Sequence, residues 1–155
     1  MTTDPITLHS NPDDLSAQAV VHGQASGVLI GGTLSALTRS IGVGLPSLDG
    51  AILFIEDTRT VGLGVVDRSL THLLRSGVLR GLRGVALGQF TGFAGYTDRG
   101  WTLVEVLKDR LGKFDVPVLG GLPVGHGPEA LAVPIGPEAV LDTEAGTLTV
   151  RPAVS

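Results

Sequence analysis

Three short apolar segments in the middle of the chain are separated by two longer segments whose apolar residues recur at helical spacing. The apolar segments are AILFIED (51–57), GVALGQF (84–90) and VPVLGG (116–121), and the helical segments are VVDRSLTHLLRSGVL (65–79) and WTLVEVLKDRLG (101–112). A buried parallel strand is typically a short apolar run, and parallel strands need a long crossover, usually a helix. The pattern therefore predicts consecutive βαβ units.

Shorter apolar segments lie on both sides of this central part. Those before it are AVVHG (19–23) and GVLIGG (27–32), and those after it are LAVPIG (131–136), AVLDT (139–143) and GTLTV (146–150). We expect these to be short strands that pair antiparallel. The segment TLSALTRSIG (33–42) predicts a short helix with Thr33 as its N-cap. The predicted fold is therefore α/β, with a mixed central sheet and short flanking strands.

The start of the chain differs from the rest. The first 18 residues are polar and contain Pro5 and Pro12. We expect residues 1–18 to form an arm or interdomain linker and residues 19–155 to form one domain. A chain of 155 residues that is 43% hydrophobic and 17% charged is long enough for one core and too apolar for a disordered segment.

Composition argues against several functional classes. The net charge is −4, aromatic residues make up 4% of the chain, and no basic stripe is present, so we expect no nucleic-acid partner. The chain has no cysteine, which excludes disulfides, thiolate metal sites and cysteine nucleophiles. Its N-terminal residues do not resemble a signal peptide, and its apolar runs are too short to cross a bilayer. We therefore expect a cytoplasmic protein with no membrane partner.

Titratable residues follow two of the predicted strands. Glu56 and Asp57 end AILFIED, and His126 follows VPVLGG in the loop GLPVGHGPEALAVPIG (121–136). Reactive groups of open α/β sheets gather at the carboxyl ends of strands. If these strands are close, a carboxylate orients the imidazole and stabilises its protonated form, as in a nucleophile–histidine–acid triad. Alternatively, the acids are solvated turn residues and the histidine is polar surface.

Other features of the site stay open. Gly125 and Gly127 flank His126 and either leave room for a substrate or another domain, or are simply turn residues. The chain has no Gly-x-Ser-x-Gly elbow, so it offers no evident nucleophile. Gly31 and Gly32 precede a predicted helix and are a weak candidate for an anion site. No two histidines have metal-ligand spacing, so we expect no metal and no cofactor.

Five motifs, read in order, resemble a known family. They are GGTLSAL, ILFIED, VDRSLTHLLRSG, GVALGQF and the discontinuous PVLGGLPVGHG and AVPIG. The series resembles the C-terminal half of the LD-carboxypeptidase family, serine peptidases that include muramoyl-tetrapeptide carboxypeptidase and have the microcin-immunity peptidases as relatives. The resemblance covers about residues 23–150. Each motif alone is weak, whereas five in series are specific.

The resemblance implies a swivelling β/β/α-type domain that supplies Glu56 and His126 to a Ser-His-Glu triad. A separate N-terminal domain would carry the nucleophilic serine and most of the oxyanion hole, so this chain is expected to be inactive alone. The implied reaction, part of peptidoglycan recycling, hydrolyses an L–D peptide bond and releases D-alanine from a murein tetrapeptide without a metal. His126 would act as general base and then general acid.

The resemblance also implies partners and leaves alternatives. The partners are a muropeptide or peptide substrate, the nucleophile domain in cis or in trans, and a second copy in a homodimer. Thr33 and the segment TRTV (58–61) depart from the family pattern, in which many relatives have asparagine and a second acid, so the substrate is open. The alternatives are a non-catalytic binding or assembly module of the same fold, and a peptidase domain of the microcin-immunity type.

Overall fold

The computed structural model describes residues 4–60 and 62–153. Its strands and helices are β1 (Ile6–His9), β2 (Gln24–Thr33), α1 (Leu34–Arg39), β3 (Ala51–Thr58), α2 (Leu63–Arg75), β4 (Gly84–Thr91), α3 (Leu103–Leu111), β5 (Val118–Leu119), β6 (Glu138–Asp142) and β7 (Thr147–Val150). Short 3₁₀ helices lie at Leu15–Gln18 and Gly112–Phe114. Within the described ranges, no helix has the length and apolar character needed to cross a membrane.

The described strands form one seven-stranded sheet in the order β1-β7-β6-β2-β3-β4-β5. Strands β2 to β5 run parallel and are joined through α1, α2 and α3. Strands β6, β7 and β1 pair antiparallel with their neighbours. The α/β class and the mixed sheet that the sequence predicts are therefore confirmed.

Strand β3 separates two apolar cores. Leu53 and Ile55 belong to the core between the sheet and the helices, whereas Ile52 and Phe54 belong to a second core on the opposite face. Successive side chains of a strand point to opposite faces, so a strand buried on both faces needs an unbroken apolar run. The run AILFI meets this need, and its alternation sends the two acids that follow it to opposite faces.

The helices form where helical spacing predicts them. In α1, the Oγ1 atom of Thr33 accepts the N–H of Ala36 at 3.1 Å, as expected of an N-cap. Helix α2 buries Val66, Leu70 and Leu73 on one face against the first core. These helices cover one face of the parallel strands, and the site described below lies on the other face.

The segment predicted as an arm lies within the fold over residues 6–18. Strand β1 pairs with β7, and Leu8 is only 1% exposed because it packs into the second core. Beyond β1, the Ser10 hydroxyl donates to the carbonyl of Gly120 at 2.7 Å, which ties this segment to the chain after β5. The alternation in ITLH was too short to predict a strand. A connection from residues 1–18 to a further domain stays a prediction.

Two predicted strands differ in the structure. GVLIGG belongs to the longer strand β2, whereas AVVHG contributes only an isolated bridge between Val21 and Val118. The prediction of a strand at LAVPIG (131–136) is wrong, since this segment forms no strand and only the N–H of Gly136 donates to β2, at the Leu29 carbonyl. Pro134 has no N–H to donate to a ladder, and Val133 instead packs against the second core. The long connection between β5 and β6 therefore covers the second core and carries His126.

Candidate active site

Glu56 lies near the carboxyl end of β3 and continues the even-numbered series that faces the second core. It is only 8% exposed, although its neighbours on that face are apolar. A buried carboxylate is costly unless a hydrogen bond compensates for the lost water. The position therefore calls for a donor, and the connection between β5 and β6 supplies one.

That donor is His126. Its Nδ1 atom lies 2.8 Å from the Oε2 atom of Glu56. When Glu56 is ionised, its carboxylate can only accept, so this contact requires the proton on Nδ1 and leaves Nε2 of a neutral ring as the acceptor. The His126 side chain is 48% exposed, which leaves the ring within reach of a group from outside this chain. The pair can take a proton at Nε2 and stabilise the resulting imidazolium through Glu56.

Asp57, the other acid predicted at this strand end, lies on the opposite face of β3. Its Oδ2 atom accepts the N–H of Ser35 at 3.0 Å and the Ser35 hydroxyl at 2.8 Å. Its Oδ1 atom accepts the N–H of Thr58 at 2.8 Å. Asp57 therefore stabilises the first turn of α1, and the choice between the two acids as partner of His126 falls on Glu56.

The glycines beside His126 lie close to side chains of the sheet. Gly125 has a φ of +142°, and a Cβ atom there would lie 3.2 Å from both the Oε2 atom of Glu56 and the Cβ atom of Gln89. At Gly127, a Cβ atom would overlap the side-chain amide of Gln89. The side chains that crowd both glycines thus come from this chain, and these residues let the backbone lie directly over β3 and β4.

Gln89, which no sequence pattern singles out, contacts this loop. Its Oε1 atom accepts the N–H of Gly127 at 2.8 Å, and its own N–H donates to the carbonyl of Val124 at 2.8 Å. The only signal in the sequence was a polar residue at the end of the apolar run GVALGQF. Its contact with the His126 loop depends on a register shift that no local pattern reveals.

Other candidates lie outside this cluster. At Gly31, a Cβ atom would overlap the backbone of Phe54, so strand packing explains this glycine without an anion site. A cavity of about 680 Å³ beside α2 and α3 is lined by residues that include Arg68, Asp98 and Trp101, but neither Glu56 nor His126 lines it. In the described part of the chain, no group of three or more His, Cys, Asp or Glu residues is arranged to hold a metal ion.

Comparison with known proteins assigns the family. Residues 26–141 match the model of the LD-carboxypeptidase C-terminal domain. The chain is 40% identical over 131 residues to a putative carboxypeptidase of Synechocystis sp., covering 82% of this chain and 42% of that protein. It is 35% identical over 121 residues to the murein tetrapeptide carboxypeptidase of Pseudomonas aeruginosa, covering 77% and 39% respectively. The chain belongs to the LD-carboxypeptidase family as its C-terminal domain.

The fold agrees with this assignment. The crystal structure of muramoyltetrapeptide carboxypeptidase from Oxalobacter formigenes superposes with a TM-score of 0.82 at 28% identity, covering 99% of this chain and 53% of that one. The microcin C7 self-immunity protein MccF of Escherichia coli is also a relative, 33% identical over 77% of this chain and 35% of its own length. The chain thus spans about half the length of these relatives or less, and it matches their C-terminal part.

Proposed function

We propose that this chain is the C-terminal catalytic domain of a murein LD-carboxypeptidase and supplies the histidine and glutamate of a Ser-His-Glu triad. The observation that carries the proposal is the 2.8 Å contact between His126 Nδ1 and the buried carboxylate of Glu56. The names of the murein carboxypeptidases to which the chain is similar support the substrate class, a murein peptide. Release of a terminal D-alanine is what the family resemblance implies.

In the proposed reaction, His126 Nε2 takes the proton of a serine hydroxyl as its oxygen attacks the L–D peptide carbonyl. The imidazolium then gives this proton to the nitrogen of the leaving D-alanine, and an acyl-enzyme remains. Water hydrolyses the acyl-enzyme in a second round that uses the same base. Glu56 holds the tautomer and stabilises the imidazolium in both rounds.

The serine and the oxyanion hole belong, on this proposal, to a nucleophile domain joined in cis or bound in trans. The exposed half of the His126 ring is the part that such a domain would meet. Since a histidine–carboxylate pair alone provides no covalent route, we expect the isolated chain to be inactive. We expect the assembled enzyme to act in the cytoplasm and to be able to form a homodimer.

A chimera tests the proposal directly. The part of the Pseudomonas aeruginosa enzyme outside its matched 121 residues would be joined to this chain, and D-alanine release from a murein tetrapeptide followed by mass spectrometry. We expect the chimera to hydrolyse the tetrapeptide and the isolated chain not to do so. The His126→Ala chimera should lose hydrolysis by about 10⁵-fold or more, because the general base is gone.

The controls separate failure of the site from failure of assembly. The parental Pseudomonas enzyme is the positive control, and a His72→Ala chimera removes a histidine on α2 that lies outside the proposed site. A chimera that folds cooperatively yet releases no D-alanine would contradict the proposal and favour a non-catalytic module. Hydrolysis by the isolated chain, lost with His126, would reveal a nucleophile within it.

The similarity to MccF supports a second candidate, a peptidase domain of the microcin-immunity type. The proposed Glu56–His126 chemistry would be the same, and only the group around the scissile bond would differ. Competition between the murein tetrapeptide and a peptidyl-nucleotide substrate in the same chimera distinguishes the two. Because the nucleophile domain of the chimera also contributes to the pocket, the comparison is repeated with the MccF nucleophile domain.

A further inference from the structure

Gln89 lies at an irregularity between β3 and β4. Ile55 pairs with Leu87, but the next pair is Asp57 with Phe90, so two residues of β4, Gly88 and Gln89, stand opposite Glu56 alone. A β-bulge of this kind leaves an extra residue unpaired and changes the direction of the side chains near it. The bulge therefore places Gln89 beside Glu56, the residue that contacts His126.

Gln89 holds the backbone on both sides of the histidine. Its N–H donates to the carbonyl of Val124, two residues before His126, and its Oε1 atom accepts the N–H of Gly127, one residue after it. Both hydrogen bonds are 2.8 Å long. The first depends only on the backbone of Gln89, whereas the second depends on its side chain and is lost when that side chain cannot accept.

The histidine needs such support. It stands between two glycines, which are the residues with the greatest backbone freedom, in a connection of 18 residues from β5 to β6. The Glu56 contact fixes one ring nitrogen but not the backbone beside it. That backbone is also held within the loop by hydrogen bonds from the Ala130 N–H to the Gly127 carbonyl and from the Leu131 N–H to the Pro123 carbonyl. Gln89 reaches this backbone from β4, which is buried in the sheet and therefore a rigid support.

We propose that Gln89 is a positioning residue. By accepting the Gly127 N–H, its Oε1 atom holds the loop so that His126 Nδ1 stays on Glu56. The catalytic consequence of this inference rests on the proposed function, whereas the conformational consequence does not. A general base has to be held within hydrogen-bond reach of the proton it takes, and a displacement of about 1 Å can cost about a hundredfold in rate.

Three substitutions isolate the side-chain acceptor. Gln89→Met keeps the length of the side chain but removes the acceptor, whereas Gln89→Glu keeps an acceptor at the same place. Gln24→Met is the control. It replaces an exposed glutamine on β2 by methionine, and the Gln24 side chain donates to Asp142, far along the strand from the site. If Gln89→Met does not fold, Gln89→Asn, shorter by one methylene, takes its place.

Two readouts are made on the isolated chain of 155 residues by NMR. Hydrogen exchange of the Gly127 amide should accelerate about tenfold in Gln89→Met, which is the usual scale for loss of one net hydrogen bond. The ¹⁵N signals of His126 should lose the single Nδ1–H tautomer pattern. Gln89→Glu and Gln24→Met should leave the Gly127 exchange rate within about twofold of the parent.

A third readout is made in the chimera. There, Gln89→Met should lower kcat by about tenfold or more at nearly constant KM.

The outcomes decide the two proposals separately. Unchanged Gly127 exchange and an unchanged His126 tautomer in Gln89→Met would overturn the positioning role, whatever the activity of the chimera. Faster Gly127 exchange and loss of the tautomer pattern in the Gln89→Met chain, combined with a parental chimera that is inactive, would support positioning while the proposed function fails. Faster exchange with an unaltered kcat would overturn the catalytic consequence, and so would an equal fall in kcat for Gln24→Met.

Discussion

Strands β2 to β5 and strands β6, β7 and β1 follow different rules within one sheet. In the parallel half, β3 is buried on both faces, and its apolar run ends in Glu56. In the antiparallel half, β7 alternates, with Leu148 and Val150 buried and Thr147 and Thr149 partly exposed. Parallel strands need cover on both faces, whereas antiparallel strands tolerate solvent on one.

This difference between the halves is consistent with the location of the proposed catalytic residues. Glu56 and Gln89 lie at the carboxyl ends of parallel strands, where a loop can cross the sheet edge. Ser16, in the first 3₁₀ helix, connects two parts of this region. Its hydroxyl donates to the carbonyl of Gly88 in the β4 bulge and accepts the N–H of Gly121, at the start of the loop that carries His126. Changes in the parallel half should therefore affect activity, and changes in the antiparallel half should affect stability.

Among changes that compare the two halves of the sheet, the largest expected effect follows from Glu56→Gln in the chimera. We expect kcat to fall by about 10⁴, the scale seen when the acid of a triad becomes an amide and the histidine takes the wrong tautomer. The melting temperature should change little, because an amide fits the same space. The measurement is D-alanine release together with a thermal melt of each variant.

Asp57→Asn, one residue along the strand, is the matched control. It should weaken the hydrogen bonds to the start of α1, cost about 1 kcal/mol of stability, and retain most of the activity. If both substitutions lowered kcat equally, the assignment of the two acids to separate faces and separate tasks would be untenable.

Leu8→Ala tests the antiparallel half and should have the next largest effect. Leu8 is buried in β1, so its truncation leaves a cavity in the second core and should cost about 2–5 kcal/mol. Activity per folded molecule of the chimera should be unchanged. Urea denaturation measures the loss, with Thr7→Ala on the opposite face of the same strand as control.

A loss below about 1 kcal/mol for Leu8→Ala would mean that β1 contributes little to the fold. The segment would then behave as the arm that its composition predicts. Equal losses from Leu8→Ala and Thr7→Ala would point to general strand propensity rather than to burial of Leu8.

The parallel half was the more predictable from sequence, for a physical reason. A strand buried on both faces needs an unbroken apolar run such as AILFI, and its crossover helices carry long periodic patterns. The antiparallel half uses short strands. ITLH has only two apolar positions, and LAVPIG has the composition of a strand but packs as a covering loop. Composition cannot separate these cases, because tertiary contacts decide them.

The site was predictable only in part, for a related reason. Both Glu56 and His126 follow apolar runs, so the location of a pair could be predicted from chain order. Whether Glu56 or Asp57 faces the histidine depends on which face the loop crosses. Gln89 depends on the bulge in β4, and the glycines depend on how closely the loop approaches it.

Ser16→Ala tests the junction of the two halves. The hydroxyl is buried, donates to the Gly88 carbonyl at 2.8 Å and accepts the Gly121 N–H at 2.9 Å. Alanine would leave both backbone groups unpaired, and we expect a loss of about 1–3 kcal/mol by urea denaturation. Because these groups belong to the bulge and to the histidine loop, kcat of the chimera should also fall.

Ser10→Ala is the control for Ser16→Ala. Its hydroxyl donates to the Gly120 carbonyl at 2.7 Å in a less buried setting, so water can replace it and the loss should be smaller. If Ser16→Ala lowered the free energy of unfolding without changing kcat, the Ser16 hydrogen bonds would contribute to folding and not to the activity of the proposed site.

Asp14→Asn should produce the smallest effect, and its sign depends on pH. Burial, together with the charge of Asp13, raises the pKa of Asp14 above its ordinary value. The folded chain therefore holds this proton more tightly than the unfolded chain, so stability falls as pH rises from the ordinary pKa through the raised one. Its side chain makes no capping hydrogen bond, so asparagine removes the charge without losing a contact. We expect Asp14→Asn to stabilise the chain at pH 7 by less than about 0.5 kcal/mol, because Asp14 is only partly buried and solvent screens its charge.

Urea denaturation near neutral pH and again below the ordinary pKa of an aspartate checks this sign. The gain should vanish at the lower pH, where Asp14 is protonated in both states. Asp13→Asn should give part of the same gain, since it removes the neighbouring charge but not the burial. If Asp14→Asn instead destabilised the chain at pH 7, the Asp14 carboxylate would be favourable at the start of the 3₁₀ helix. The segment that contacts the His126 loop would then be stabilised by this charge as well as by the Ser16 hydrogen bonds.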